Sequence, residues 1–273
     1  MLGGMALGSR GRRSSTRSGG LLPLVLTVAL VGGAFAYSHA KADASHPSGM
    51  IILYGDSLSA EASPYFADEL ARTTTALVIP KTIPGTGPCS AMDAMRSDAT
   101  LHPDVVVIQY VGNNAMPCAR DANGNPLTGQ ALADRYEADV RAEVDLFASQ
   151  GTKVVLVGGP DAPGLPGGAT LQIADAYQRI VDEWDDRAFG RVRYADAAGT
   201  VTGPDHTFVD KLPCASDEGP AQGCTNGEVE VRSPDRAHFC PAEGIYMVCP
   251  VPNPGARRFG FEMAQVAREA LSD

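Results

Sequence analysis

A serine, an aspartate and a histidine stand in two short motifs whose spacing suits nucleophilic catalysis. Ser57 lies in Gly55-Asp56-Ser57-Leu58, and Asp235 precedes His238 by three residues. A serine hydroxyl attacks at neutral pH only if a base takes its proton, and that base needs an acceptor on its second nitrogen to hold the correct tautomer. The pattern therefore predicts Ser57 as the nucleophile, His238 as the base and Asp235 as the group that orients it.

Each motif alone is weak evidence. A Gly-Asp-Ser turn that caps a helix is about as probable, for an isolated match, as one that carries a nucleophile. Among the other histidines, His39 and His46 belong to an N-terminal leader, and neither His102 nor His206 has a carboxylate three residues before it. The two motifs therefore support each other only if the fold brings them together.

Five short apolar runs predict strands that are buried on both faces. They are rich in β-branched residues and lack polar alternation, which is typical of parallel sheets, and they cover residues 50–54, 76–79, 105–111, 154–157 and 192–194. Apolar residues at helical spacing predict helices over 132–147, 173–184 and 259–270, with a further one around 65–70. We expect one domain, a three-layer α/β/α sandwich with a parallel five-stranded sheet, whose site lies at the carboxyl ends of the strands. Residues 158–170 and 199–235 are expected to be irregular.

Four motifs, in order, resemble the blocks that define the SGNH (GDSL-type) hydrolase family. Residues 55–59 resemble the nucleophile block, and residues 233–239, with Asp235 and His238, resemble the Asp-x-x-His block. Residues 84–87 resemble the block whose glycine N–H enters the oxyanion hole, and residues 111–114 resemble the Gly-x-Asn-Asp block, whose asparagine is a second donor. The resemblance spans residues 50–270 and implies a flavodoxin-like sandwich with serine esterase or lipase activity.

The resemblance leaves the register of two oxyanion donors open. Asn113 is preferred over Asn114 because it leaves Asn114 at the place of the family's aspartate, and Gly85 is nearer the strand end than Gly87. Acyl transfer builds negative charge on the former carbonyl oxygen, and donors aimed at that oxygen stabilise it. We expect the N–H groups of Ser57 and Gly85 and the side-chain amide of Asn113 to form this set.

The first 44 residues predict an export signal. Four arginines between positions 10 and 17 precede the uncharged stretch 21–36, and Ala-x-Ala triplets lie at its end and beyond, as in a secretory signal peptide. A retained membrane tether through residues 21–36 is the alternative, although sixteen residues fall short of the ~20 that usually span a bilayer. Residues 45–273 would then form a hydrolase domain that is secreted or held in the cell envelope.

The six cysteines all lie in this exported part and predict disulfide bonds. Close spacing suggests Cys214 with Cys224 and Cys240 with Cys249, which leaves Cys89 with Cys118. A zinc site built from His238 and Cys240 is the alternative, but no Cys-x-x-Cys pair supports it. We expect neither a metal nor another cofactor.

Charge and motifs narrow the function. Residues 1–44 hold five of the 22 basic and one of the 32 acidic side chains, so residues 45–273 are strongly acidic and disfavour nucleic acid and anionic lipid surfaces as partners. No Gly-x-Ser-x-Gly elbow, His-Glu-x-x-His motif or P-loop supports an α/β-hydrolase, a metalloprotease or a nucleotide hydrolase. We expect a monomer that acts on small-molecule, lipid or acylated-sugar esters.

Three functions fit these observations. The leading one is an exported serine hydrolase that cleaves carboxylic esters. The second is an envelope O-acyltransferase that uses the same site but passes the acyl group to a sugar hydroxyl. The third is a non-catalytic envelope-binding module, which is disfavoured because Ser57, Asp235 and His238 are all present.

Overall fold

A parallel sheet of five strands, in the order β2-β1-β3-β4-β5, forms the centre of the molecule. In this computed structural model, which describes residues 48–242 and 248–273, its strands are β1 Met50–Gly55, β2 Leu77–Thr82, β3 Val105–Gln109, β4 Lys153–Val157 and β5 Val192–Ala195. This order is that of flavodoxin-like sheets. The predicted fold class is therefore confirmed, whereas the predicted signal segment, with its possible tether at 21–36, lies outside the described residues.

Helices cover both faces of the sheet. Within the described residues they are α1 Ser57–Thr73, α2 Met92–Ala99, α3 Gly129–Ala148, α4 Thr170–Ala188 and α5 Pro254–Ser272. Alternate residues of a central strand face opposite layers. In β1, Ile51 and Leu53 contact the core under α1 and α5, and Ile52 and Tyr54 contact the core under α2, α3 and α4. Burial on both faces explains why the strands show no polar alternation.

Helix α1 begins earlier than the apolar periodicity indicates. Asp56 is its N-cap, because the Asp56 side chain accepts a hydrogen bond from the N–H of Leu58 at 3.0 Å. The buried stripe of α1, which includes Ala62, Phe66 and Leu70, packs against α5. Polar residues in the first two turns conceal this stripe in the sequence.

Strand β2 lies at one edge of the sheet and contains Pro80. The N–H groups of Leu77 and Ile83 donate to carbonyls of the β1 strand and its flanks. Since successive N–H groups of a strand point in opposite directions, the nitrogen of Pro80 faces the free edge, where a missing donor breaks no ladder bond.

One helix and two short strands are absent from the sequence expectations. Helix α2 is short and largely polar, and strands β6 Lys211–Pro213 and β7 Glu228–Glu230 form an antiparallel pair inside the segment that we expected to be irregular. Strands of three residues are too short for a periodicity to reveal them.

Three disulfides join Cys89 to Cys118, Cys214 to Cys224, and Cys240 to Cys249. The pairing suggested by spacing is the one that the structure contains, and it is compatible with an extracytoplasmic location. No helix of the described part of the chain is long and apolar enough to cross a bilayer.

A glutamate on α3 is buried in the core. Glu143 is fully buried, and neither of its carboxyl oxygens has a hydrogen-bond partner within residues 48–242 and 248–273. This burial raises the pKa of Glu143 well above its ordinary value. The folded protein therefore keeps a proton here that the unfolded chain releases once the pH exceeds about 4.3.

We expect the substitution Glu143→Gln to stabilise the fold increasingly, relative to wild type, as the pH rises. Because the folded-state pKa is the higher one, the wild-type carboxyl costs stability above the unfolded-state pKa, while an amide does not titrate. Between the unfolded-state pKa and the folded-state pKa of Glu143, the difference in unfolding free energy between the variant and wild type should grow by up to about 1.4 kcal/mol per pH unit. Urea unfolding of both proteins at a series of pH values above the unfolded-state pKa measures this difference. A difference that does not change with pH would contradict a raised pKa of Glu143.

Candidate active site

Ser57 is the first residue of α1, directly after the carboxyl end of β1. The first N–H groups of a helix have no intrahelical acceptor and carry partial positive charge. The serine itself is nearly buried, with 6% of its surface exposed. Negative charge that develops on an atom held at Ser57 therefore meets the positive end of α1.

The three predicted side chains form one hydrogen-bonded chain. Ser57 Oγ lies 2.9 Å from Nε2 of His238, although the two residues are 181 positions apart. Nδ1 of His238 lies 2.7 Å from Oδ2 of Asp235. In this arrangement Nε2 can accept the serine proton while the N–H on Nδ1 donates to the carboxylate.

The second oxygen of Asp235 shapes the turn that carries His238. Oδ1 accepts hydrogen bonds from the backbone N–H groups of Ala237 at 2.9 Å and His238 at 3.0 Å. Partial burial acts to raise the pKa of Asp235, but these two bonds and the His238 ring outweigh it and lower the pKa to about 2. The carboxylate is therefore ionised over the whole neutral range.

The Pro/Gly-rich loop after β4, residues 158–169, contacts the turn that carries His238. Arg236 has a left-handed backbone with φ of 60°, and its carbonyl accepts a hydrogen bond from the N–H of Gly164 at 3.3 Å. A Cβ at Gly164 would overlap the carbonyl oxygen of Asp235. Only glycine allows the loop to approach so closely.

The structure separates the two candidate asparagines. The Asn113 amide donates to Oδ2 of Asp56 at 3.2 Å and to the carbonyl of Thr86 at 3.0 Å. The Asn114 amide instead donates to the carbonyl of Leu127 at 3.0 Å, in the segment before α3. Asn113 thus bonds to the residue that precedes Ser57, and its amide would have to exchange one of these two bonds to reach an oxyanion. Which asparagine is the donor stays a prediction.

Asp56 links the loops after β1 and β3, a role that sequence reasoning missed. It is fully buried and accepts hydrogen bonds from the N–H of Val111 at 2.9 Å, from the Asn113 amide and from Leu58. Burial raises the pKa of Asp56 to about 7, although all of these hydrogen bonds act to lower it. Its place just before a helix was the available signal, because Asp is a preferred N-cap.

The two candidate glycines occupy different environments. Gly85 is exposed, has φ of 75° and directly precedes Thr86, whose carbonyl accepts from Asn113. Gly87 is buried, and a Cβ there would meet Tyr136 and Met116. Gly85 is therefore the more accessible of the two, and its role as an oxyanion donor stays a prediction.

The alternative zinc site lacks one of its two proposed ligands. Cys240, a ligand of the alternative zinc site, is joined to Cys249 and cannot coordinate as a thiolate. Within the part of the chain that the structure describes, no three His, Cys, Asp or Glu side chains are grouped closely enough to hold a metal ion.

Two solved structures share this fold over most of their length. A Bacteroides fragilis protein described as a "putative acylhydrolase" aligns with a TM-score of 0.53 and 16% identity, over 86% of this chain and 95% of that chain. A "putative GDSL-like lipase" from Parabacteroides merdae aligns with a TM-score of 0.50 and 14% identity, over 81% and 96% of the two chains. No family model and no curated protein sequence matches. At these identities the likeness shows the fold, and at that level it agrees with the resemblance to SGNH hydrolases.

We expect Asn113→Ala to lower kcat by about 100-fold with little change in KM, because an oxyanion donor acts mainly in the transition state. Asn114→Ala should lower kcat less, since that side chain holds the segment at Leu127. Steady-state kinetics on an ester substrate compares the two variants. The reverse ranking would show that the donor is one residue later.

We also expect Cys89→Ser or Cys118→Ser to lower kcat more than it raises KM. The bond joins the loops after β2 and β3, which carry Gly85 and Asn113, and donors must be held within about 0.5 Å. The double variant should be no worse than either single one.

The matched control for this disulfide is Cys214→Ser with Cys224→Ser, which removes the bond next to the small β6-β7 sheet and should leave kcat unchanged. Equal kinetic losses in both pairs would indicate a general loss of stability.

Proposed function

We propose that the chain is an extracytoplasmic serine hydrolase that cleaves uncharged carboxylic esters, with Ser57, His238 and Asp235 as its triad. The observation that carries this proposal is the hydrogen-bonded chain from Ser57 Oγ through His238 to Asp235, with distances of 2.9 Å and 2.7 Å. Its position at the carboxyl edge of a flavodoxin-like sheet supports the proposal, because ligands of such sheets bind there.

The geometry suggests a two-step reaction. Ser57 Oγ attacks the acyl carbon while Nε2 of His238 takes the hydroxyl proton, and the resulting oxyanion is stabilised by the N–H groups of Ser57 and Gly85 and the Asn113 amide. The C–O bond to the alcohol then breaks, and His238 returns the proton to the departing alcohol. Water then attacks the acyl carbon as the same imidazole takes its proton, the bond to Ser57 Oγ breaks, and His238 returns the proton to that oxygen as the acid leaves.

The acceptor in the second step distinguishes hydrolysis from acyl transfer. A sugar hydroxyl that occupies the place of water would receive the acyl group through the same residues. Hydrolysis requires only water as the acceptor, so it is the function proposed here. Analysis of the products formed in the presence of a glycan acceptor would detect acyl transfer.

We expect the full-length protein to hydrolyse p-nitrophenyl esters, and Ser57→Ala and His238→Ala to abolish turnover to a similar degree because triad members act as a unit. Asp235→Asn should also lower kcat strongly, by about 10⁴-fold in a comparable triad, since it disturbs the histidine tautomer. A fluorophosphonate should label wild type and not Ser57→Ala.

The control is Ser63→Ala in the same helix. The Ser63 hydroxyl bonds to the carbonyl of Ala60, so its removal should leave turnover unchanged. Substantial ester turnover by Ser57→Ala would refute the nucleophile assignment. If no p-nitrophenyl ester of any acyl chain length is hydrolysed but an acyl group is transferred to an added glycan, the acyltransferase is favoured.

A further inference from the structure

A buried glutamate on α1 holds the backbone next to His238. Glu61 lies four residues after Ser57, on the same face of the helix, and only 6% of it is exposed. Its Oε2 accepts hydrogen bonds from the N–H groups of Phe239 and Cys240, both at 3.0 Å. The helix that begins at Ser57 therefore also binds the residues that directly follow His238.

A buried arginine holds the same segment from the other side. Arg232 is 3% exposed, and its guanidinium donates to the carbonyls of Ala237 at 3.1 Å and His238 at 3.4 Å. A third bond, to the carbonyl of Asp161 at 2.8 Å, connects it to the Pro/Gly-rich loop. All three acceptors are backbone carbonyls.

The peptide group between His238 and Phe239 thus lies between two opposite charges. Its carbonyl oxygen accepts from Arg232 and from the N–H of Ser233 at 2.8 Å, and its N–H donates to Glu61. The negative end of the peptide dipole faces the guanidinium of Arg232, and the positive end faces the carboxyl oxygen of Glu61. Rotation of this peptide would break bonds on both sides, so the main chain of His238 has one favoured orientation.

We propose that Glu61 and Arg232 are positioning residues that clamp the His238–Phe239 peptide and so hold the imidazole against Ser57. This inference rests on the proposed function. Neither residue contacts the reacting atoms; both act through the main chain of His238, which sets the 2.9 Å distance from Nε2 to Ser57 Oγ. Displacements of about 1 Å between reacting groups can cost about 100-fold in rate.

The cost of these charges supports a positioning role. Burial raises the pKa of Glu61 to about 7, against hydrogen bonds from Phe239, Asn253 and Cys240 that lower it. Burial also lowers the pKa of Arg232 to about 10. Apolar side chains often fill a core with less loss of hydration free energy than buried ions do. A charged pair that bonds to main-chain groups on both sides of a peptide restricts that peptide in a way that apolar packing does not.

Two substitutions at Glu61 separate hydrogen bonding from packing. Glu61→Met keeps the length of the side chain and removes the acceptor, whereas Glu61→Gln keeps a carbonyl oxygen for the two N–H groups. In the full-length protein we expect kcat to fall by about 100-fold in Glu61→Met and by clearly less in Glu61→Gln, with KM within about twofold. Glu143→Gln, the same substitution at a buried glutamate on the opposite face of the sheet, should keep the wild-type kcat.

A double-mutant cycle tests whether the two residues act on one peptide. Arg232→Lys keeps the charge but cannot reach three carbonyls at once. Combined with Glu61→Met, which removes the acceptor, it should lower kcat by less than the product of the two single losses, because either change already frees the peptide. Losses that multiply would overturn the shared clamp.

Amide hydrogen exchange tests the clamp without turnover. The N–H groups of Phe239 and Cys240 should exchange faster in both Glu61 variants than in Glu143→Gln, because their acceptor is lost or weakened. If the wild type hydrolyses no ester while exchange rises as expected, the proposed function fails and the clamp as a structural device remains.

Several outcomes would overturn the positioning role itself. It fails if folded Glu61→Met keeps the wild-type kcat, if the loss appears in KM alone, or if exchange of both amides is unchanged while Ser57→Ala is inactive. Should Glu61→Met not fold, Glu61→Gln decides: a kcat and amide exchange equal to those of Glu143→Gln overturn the proposal.

Discussion

The hydrogen bond between Ser57 and His238 joins the start of α1 to the turn that carries Asp235 and His238. Much of the structure serves to keep the length of this bond constant. Helices α1 and α5 pack side by side on one face of the sheet. Phe239, the residue after His238, lies with its ring centroid 5.1 Å from that of Phe259 in α5. Helix packing therefore sets the coarse distance between nucleophile and base, and hydrogen bonds to the main chain set the fine one.

Buried charges around the site bind backbone groups rather than opposite charges. Asp56 and Glu61 each accept from two backbone N–H groups and one side-chain amide, and Arg232 donates to three carbonyls. Such charges lose hydration free energy on folding. In return they fix loops that have no regular secondary structure to order them, and these loops carry the residues with proposed chemical roles.

The sequence predicted the parts of this architecture that depend on residue type. Strands that are buried on both faces are continuous apolar runs, so β1 to β5 were recognisable, as was the edge of the sheet where Ser57 lies. Glu61 gave no signal, because it lies in the first turns of α1, which the apolar periodicity did not assign to the helix. Arg232 gave no signal, because its partners are main-chain carbonyls of residues that no periodicity brings near. The roles of Ser57, Asp235 and His238 stay predictions, although the fold brings these side chains together.

The proline in the edge strand has a consequence for the behaviour of the protein in solution. A free strand edge offers N–H and C=O groups to any other extended chain, and such pairing leads to aggregation. Pro80 lacks an N–H at the middle of that edge, so a second molecule cannot form a continuous hydrogen-bonded ladder along β2. Molecules at high concentration are thereby hindered from joining through this edge into extended β-structure.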